Sequence, residues 1–92
     1  MAITGNNIVE GTFTAAPATS APCNGKEFTV ALDFAGTASV DIEVNAGAGW
    51  FKHTTAIAAD KVQSVEFKTR CQLRLNCTAH TDDVVYKIVA AR

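Results

Sequence analysis

The sequence predicts an all-β protein: an antiparallel β-sandwich of Greek-key or immunoglobulin-like type, with about seven short strands and an extended N-terminal arm. Three observations favour this fold class. Apolar residues recur at every second position in several stretches, as they do in strands that bury one face. Turn-forming residues separate these stretches at intervals of roughly 8 to 12 residues. Helix patterns are nearly absent, because the alanines between Thr54 and Lys61 extend over too few residues.

The composition is that of one small globular domain. Of the 92 residues, 48% are hydrophobic and 18% are charged, which excludes a disordered chain. The net charge of -1 leaves no excess positive charge for binding nucleic acid. No apolar run is long enough to span a membrane. Met1 to Thr14 lack the basic start and apolar run of a signal peptide, so we expect no export through the general secretory route and synthesis in a reducing cytoplasm.

The chain before Cys23 predicts an N-terminal arm, residues 1–22, that precedes a β-sandwich domain, residues 23–92. A strand is expected over Ile8 to Thr14, followed by the segment AAPATSAP, whose small residues and prolines favour an extended chain without a bulky anchor. The arm carries more apolar residues than a floppy tail, so we expect Ile3 to Pro22 to dock on another subunit, in part by strand addition. Its predicted contact residues are Ile8, Val9, Phe13, Pro17 and Pro22.

Two well-patterned strands follow the arm. In the first, apolar side chains alternate from Phe28 to Phe34, and in the second from Ala38 to Val44. The short Gly-containing turn at 35–37 predicts that these strands form a hairpin. Asp41 and Glu43 lie between the apolar positions of the second strand and are expected to face water.

A flexible loop, Asn45 to Gly49, leads into a short strand that begins with Trp50 and Phe51. Consecutive strand residues face opposite sides, so one aromatic ring fills the core while the other lies at the surface. We predict Phe51 as a contact residue for a partner. The alternative is that a loop of the same chain shields it.

The remaining strands are predicted around Val65 and Phe67, from Cys71 to Cys77, and from Val84 to Ala90, with a turn at 81–83 before the last. The last strand has apolar residues on both faces. Its second face is therefore expected to be covered, either by another part of the chain or by a neighbouring subunit.

Three cysteines cannot all pair within one chain. Cys71 and Cys77 lie in one predicted strand, where their separation of roughly 20 Å exceeds the reach of a disulfide, although a bridge from Cys23 to either stays geometrically possible. We expect all three to be reduced and buried. The CxxC spacing typical of a zinc site is absent. Trp50 lies between Cys23 and Cys71, an order that resembles immunoglobulin domains only superficially.

The catalytic side chains of the sequence predict neither an enzyme nor a cofactor. A nucleophile–His–acid set could be composed from Cys71 or Ser64 with His80 and Asp82, but no nucleophile elbow holds these residues together. Asp82 and Asp83 are adjacent and typical of a turn. The glycines of the 45–49 loop lack the lysine and helix that a phosphate-binding loop requires. We therefore predict no catalytic, cofactor-binding or metal-binding residues.

From Lys26 to Ala90 the sequence resembles a family of small tailed-bacteriophage virion proteins, β-sandwich proteins of the capsid cement or decoration type. The resemblance lies in an apolar strand, a Gly-Thr turn and a second strand, then a Gly-rich loop ending in Trp, then a late strand with an Arg-Leu core. In this chain these are FTVALDFAGTASVDIEV, NAGAGW and CQLRLNCTAHTDDVVYKIV. The loop departs from the family in lacking an acidic Asp-Gly-Gly form.

The resemblance implies a non-enzymatic structural protein of the virion, assembled in the host bacterial cytoplasm. As a capsid cement protein it would bind the major capsid protein or other virion subunits as a homo-oligomer, without nucleic acid or membrane. Two alternatives stay open. One is a head–tail or tail component. The other is a module that binds a carbohydrate or host receptor through Trp50, Phe51, His53 and the 45–49 loop.

Overall fold

The computed structural model describes residues 8–91 and confirms an all-β protein with antiparallel pairing throughout. Six strands pair in the order β1-β7-β3-β6-β4-β5, and β2 pairs with β6 beside this path. Within residues 8–91, no helix is long and apolar enough to cross a membrane. The strands are β1 (Ile8–Phe13), β2 (Ala18–Thr19), β3 (Cys23–Phe34), β4 (Ala38–Asn45), β5 (Phe51–Ile57), β6 (Lys61–His80) and β7 (Val84–Ala90).

Strand β6 is the centre of this arrangement. The sequence predicts two short strands here, but the structure has one continuous strand of 20 residues. Its first part, residues 61–66, pairs with β3; its second part pairs with the start of β3 over residues 71–73 and with β4 over residues 72–80. Between these parts, residues 67–70 lie opposite the single residue Lys26 of β3. Extra residues of this kind bend a strand, so β6 changes direction here and its second part can also pair with β4.

The predicted hairpin between β3 and β4 is wrong, because β6 lies between these two strands. The connection at 35–37 instead joins the turn between β6 and β7. The Ala35 amide donates to the Asp83 carbonyl (2.9 Å), and the Thr37 amide donates to Asp82 Oδ2 (2.8 Å). Alternation defines the face of a strand, but it does not define the neighbour with which the strand pairs.

The alternating apolar positions form the core, as the sequence predicts. Burying one large aliphatic or aromatic side chain contributes about 1.5–3 kcal/mol, so this set supplies most of the driving force for folding. On the other face of β7, Val85 is 52% exposed, so no described part of the chain covers it. The central buried residues are Phe28, Val30, Val40, Ile42, Leu73, Leu75, Val84 and Ile88.

Residues 8–22 differ from the extended arm that the sequence predicts, because they are part of the sheet. Strand β1 pairs with β7 along its whole length. Phe13 is 3% exposed and stacks on Tyr86 with ring centroids 4.5 Å apart. Farther on, the Ser20 amide donates to the Leu75 carbonyl (2.8 Å), and the Leu75 amide donates to Ser20 Oγ (2.9 Å). Hydrogen bonds from the backbone and side chain of Ser20 thus hold a segment that lacks bulky side chains. Ile3 lies outside the described residues.

Candidate functional site

The largest exposed aromatic surface of the described chain lies at Phe51, the first residue of β5. Phe51 lies opposite Val44 of β4 and is 63% exposed, which confirms the prediction of a surface ring. Trp50 is half-buried and lies outside the core cluster, so the prediction that the other ring fills the core is wrong. It borders a cavity of about 240 Å³, the apolar cavity. Thr69 is the one polar residue of its lining, which otherwise consists of apolar and cysteine side chains, among them Val44, Ala46, Phe51, Phe67 and Cys71.

The loop before β5 shapes one wall of the apolar cavity. Asn45 Oδ1 accepts hydrogen bonds from the amides of Gly47 (2.8 Å) and Gly49 (3.4 Å). Gly47 and Gly49 have φ angles of 115° and 107°, in the left-handed region that glycine adopts at little cost. The opposite wall is set by Phe67, whose ring meets those of Phe28 and His53 at centroid distances of 6.2 and 5.9 Å.

A second cavity of about 360 Å³ adjoins the first and has a polar lining. We call it the polar cavity, and the two together the two-part cleft. Both are lined by Ala46 and Cys71, which form their common wall. Arg70 is the one charged residue of the polar cavity. It is exposed and forms no ion pair within residues 8–91. Asn24, Asn45 and Gln72 supply further polar groups.

The prediction that Asp41 and Glu43 face water is wrong, since they are 3% and 6% exposed. Arg74 Nε donates to Glu43 Oε1 (2.8 Å), and Arg74 Cζ lies 4.1 Å from the centroid of the Trp50 ring. Lys52 Nζ lies 3.5 Å from Asp41 Oδ2. Neighbouring strands therefore place a basic group beside each of these carboxylates. One face of Trp50 is thereby occupied by Arg74.

The residues of the conceivable catalytic set are not brought together. His80 Nε2 lies 2.9 Å from Asp83 Oδ1, while Asp82 accepts a hydrogen bond from the Thr37 amide. Cys71 precedes His80 by nine residues on the same strand, a distance of about 30 Å in extended chain. Ser64 lies farther back along β6. Within residues 8–91, no group of His, Cys, Asp and Glu side chains could hold a metal ion.

The three cysteines are reduced and buried, as the sequence predicts. Cys23 and Cys77 are 0% exposed, and Cys71 is 8% exposed at the wall of the two-part cleft. Burial raises the pKa of all three thiols above its ordinary value, because it disfavours the thiolate. Smaller opposing contributions come from hydrogen bonds with the backbone of Ala90 for Cys23 and of Ala79 for Cys77.

The predicted contact residues do not form one surface. Ile8 is 39% exposed on β1, and Phe51 lies on β5, at the opposite end of the strand order. Val9 packs against the core that contains Phe13. Pro17 and Pro22 are exposed in the connections on either side of β2.

Phe67 and Arg70 line the two-part cleft but were not predicted from the sequence as site residues. The alternation of Phe67, Thr69 and Cys71 could have indicated that these side chains share one face of a strand. Nothing in the sequence pattern indicates that this face lies against the 45–49 loop.

Comparison of the chain with protein-family models, curated proteins and solved structures finds no significant match.

Proposed function

We propose that this protein is a non-enzymatic structural protein of a virus particle, a capsid cement protein of a tailed bacteriophage. It is made in the bacterial cytoplasm and assembles on the virion. As a homo-oligomer it binds the major capsid protein, or other virion subunits, through protein–protein contacts. The chain's resemblance to phage virion proteins between Lys26 and Ala90 supports the virion assignment, and the geometry at Phe51 supports the mode of binding.

One observation carries the binding mode: Phe51 is 63% exposed beside an almost wholly apolar cavity. Exposed aromatic side chains next to apolar pockets are typical of protein interfaces, where aromatic anchors contribute much of the binding energy. A cement protein gains its effect by burying surface on two or more capsid subunits at once. Each occupied joint then resists the outward pressure of packaged DNA.

The proposal includes the layer architecture that the sequence predicts. In it, the strands form two layers of a β-sandwich, with residues 61–66 of β6 in one layer and residues 72–80 in the other. Strand β4 pairs only with residues 72–80 of β6, whereas β3 follows β6 through both parts. The restriction of β4 to one part supports this arrangement, as does the bend expected at residues 67–70. Such a body is stiff, which suits a protein that clamps its neighbours.

The test is decoration of empty capsid shells. Shells are assembled from a major capsid protein encoded in the same genome as this chain and mixed with wild-type protein or with Phe51→Asp. A charge at the apolar cavity is expected to weaken cosedimentation with shells at least about tenfold, corresponding to about 1.4 kcal/mol or more.

The matched control is Val62→Asp, which places the same charge at another exposed apolar residue, 74% exposed and outside the two-part cleft. It should bind shells like the wild type. Wild-type protein that fails to bind shells would overturn the cement proposal. Equal binding by Phe51→Asp and the wild type would show that Phe51 is not the anchor.

A second function, binding of a carbohydrate or host receptor, is favoured by the consecutive aromatics Trp50 and Phe51. Sugar rings stack on exposed aromatic faces, and Phe51 offers one at the apolar cavity, which adjoins the polar cavity. Glycan-array binding that disappears in Phe51→Ser, with no binding to shells, would select this function over cement. A head–tail or tail component would instead bind subunits of those parts through the same surface.

A further inference from the structure

The two-part cleft places an apolar cavity next to a polar one, and no other segment of the described chain occupies either cavity. The apolar cavity and the polar cavity meet at Ala46 and Cys71. An occupant of both must therefore carry an apolar group next to a polar or charged one.

The apolar cavity favours a side chain over ordered water. Its volume of about 240 Å³ is several times the roughly 30 Å³ that a water molecule occupies in the liquid. Ordered waters need two to four polar partners each, and Thr69 is the one polar residue of the lining. A large aliphatic or aromatic side chain would bury itself there and cover the ring of Phe51.

The polar cavity favours a carboxylate. Arg70 is its one charged residue, without an ion pair within residues 8–91. A guanidinium matches the two oxygens of a carboxylate with two parallel hydrogen bonds. Asn24 and Gln72 lie in the same lining and offer side-chain amide donors.

The backbone beside the cleft favours an extended peptide over a small molecule. Strand β5 begins at Phe51 and is the last strand of the path, so one of its edges has no strand partner among the described strands. Such an edge can accept the backbone of an added strand. Nothing lies within 4 Å of a Cβ built at Gly47 or Gly49, so the loop leaves space for an approaching chain.

We infer that the two-part cleft binds an extended segment of a partner protein, with a large apolar side chain in the apolar cavity and an Asp or Glu carboxylate on Arg70. Adjacent cavities require the two side chains to lie within about three residues, roughly 10 Å in extended chain. The inference rests on the proposed function, because it names the class of partner segment that this surface takes.

The experiment selects random 12-residue peptides on the wild-type protein, with counter-selection on Phe51→Asp. Enriched peptides should pair a large apolar residue with Asp or Glu within about three positions. Their Kd is then measured from the fluorescence of Trp50, the one tryptophan of the chain, which directly precedes Phe51. Failure to enrich peptides, or a consensus without an acidic residue, would overturn the inference.

Charge exchange at Arg70 gives the sharper result. Arg70→Glu should raise the Kd at least about tenfold, and replacing the acidic residue of the peptide by Lys should restore binding to this variant. The matched control is Lys68→Glu, the same charge reversal at an exposed residue that lines neither cavity, which should change the Kd less than about twofold. Equal effects in both variants would contradict a carboxylate site at Arg70.

The outcomes separate this inference from the proposed function. Shell binding without peptide binding would overturn the peptide cleft and leave the cement proposal standing. Peptide binding with the expected consensus but without shell binding would support the cleft and overturn the cement proposal.

Discussion

At the scale of single residues, burial controls the chemistry of the three thiols. Cys23 and Cys77 are fully enclosed, and Cys71 retains 8% exposure at the two-part cleft. Desolvation is the main cause of the raised pKa in each case. A thiol that stays protonated near neutral pH is a poor nucleophile. These residues therefore act as small apolar groups of the core.

The raised pKa values predict the pH dependence of stability. In the unfolded chain the thiols titrate near pH 9.0, and in the folded protein they titrate at higher pH. Below pH 9.0 both states hold their protons, so the thiols leave stability unchanged. Above it, the unfolded state loses protons first, so the free energy of unfolding falls as pH rises.

Urea unfolding at about pH 8 and about pH 10 measures this effect. The wild type should lose more stability between the two pH values than a variant with all three cysteines replaced by Ala. The replaced variant starts from a lower stability because the substitutions create cavities. The quantity compared is therefore the change in the free energy of unfolding between the two pH values in each protein. An equal loss in both proteins would assign the effect to other groups.

At the scale of elements, a side chain of β4 stabilises a bulge in the neighbouring strand β5. Between the pairs Val40–Ile57 and Ile42–Thr54, β5 holds one more residue than β4. The extra length is taken up at Ala56, whose φ of 56° lies in the left-handed region. Asp41 Oδ1 accepts a hydrogen bond from the Ala56 amide (2.9 Å). The buried carboxylate therefore stabilises the bulge as well as pairing with Lys52.

Two substitutions at this bulge should change stability in opposite directions. Ala56→Gly removes a strained side chain and should raise the free energy of unfolding by up to about 1 kcal/mol. Asp41→Ala leaves the Ala56 amide without its acceptor and should lower it by about 1–3 kcal/mol. Urea unfolding checks both. The control Ala58→Gly lacks a positive φ and should not stabilise; stabilisation equal to that of Ala56→Gly would argue against strain at the bulge.

The strands could largely be predicted from the sequence, but the strand with which each one pairs could not. Alternation predicted the strands that contain Phe28 and Val40, because a half-buried strand must alternate whichever strand it joins. The predicted hairpin is wrong because a short connection that contains Gly36 is compatible both with a hairpin and with a crossover to a strand that is not adjacent. The burial of Glu43 could not be predicted, since Arg74 reaches it only through the pairing of β4 with β6.

At the scale of the whole molecule, the strand order separates the two regions that the sequence predicts to contact partners. Strand β1 is one end of the path and β5 is the other. Residues 8–22 are held by β6 and β7, and Val9 and Phe13 of this segment pack in this chain's own core. The two-part cleft lies beside β5, where Phe51 and Arg70 face no partner within the described chain. It could not be predicted from sequence, because its walls come from the 45–49 loop and the bend of β6.

The proposed binding of a partner through the two-part cleft can be measured in solution. Hydrogen–deuterium exchange of the free and the shell-bound protein tests it most directly. Binding should slow amide exchange at residues 46–51 and 67–71 and leave β1 unchanged. Slower exchange confined to β1, with residues 46–51 unaffected, would place the interface on the N-terminal segment and contradict the claim.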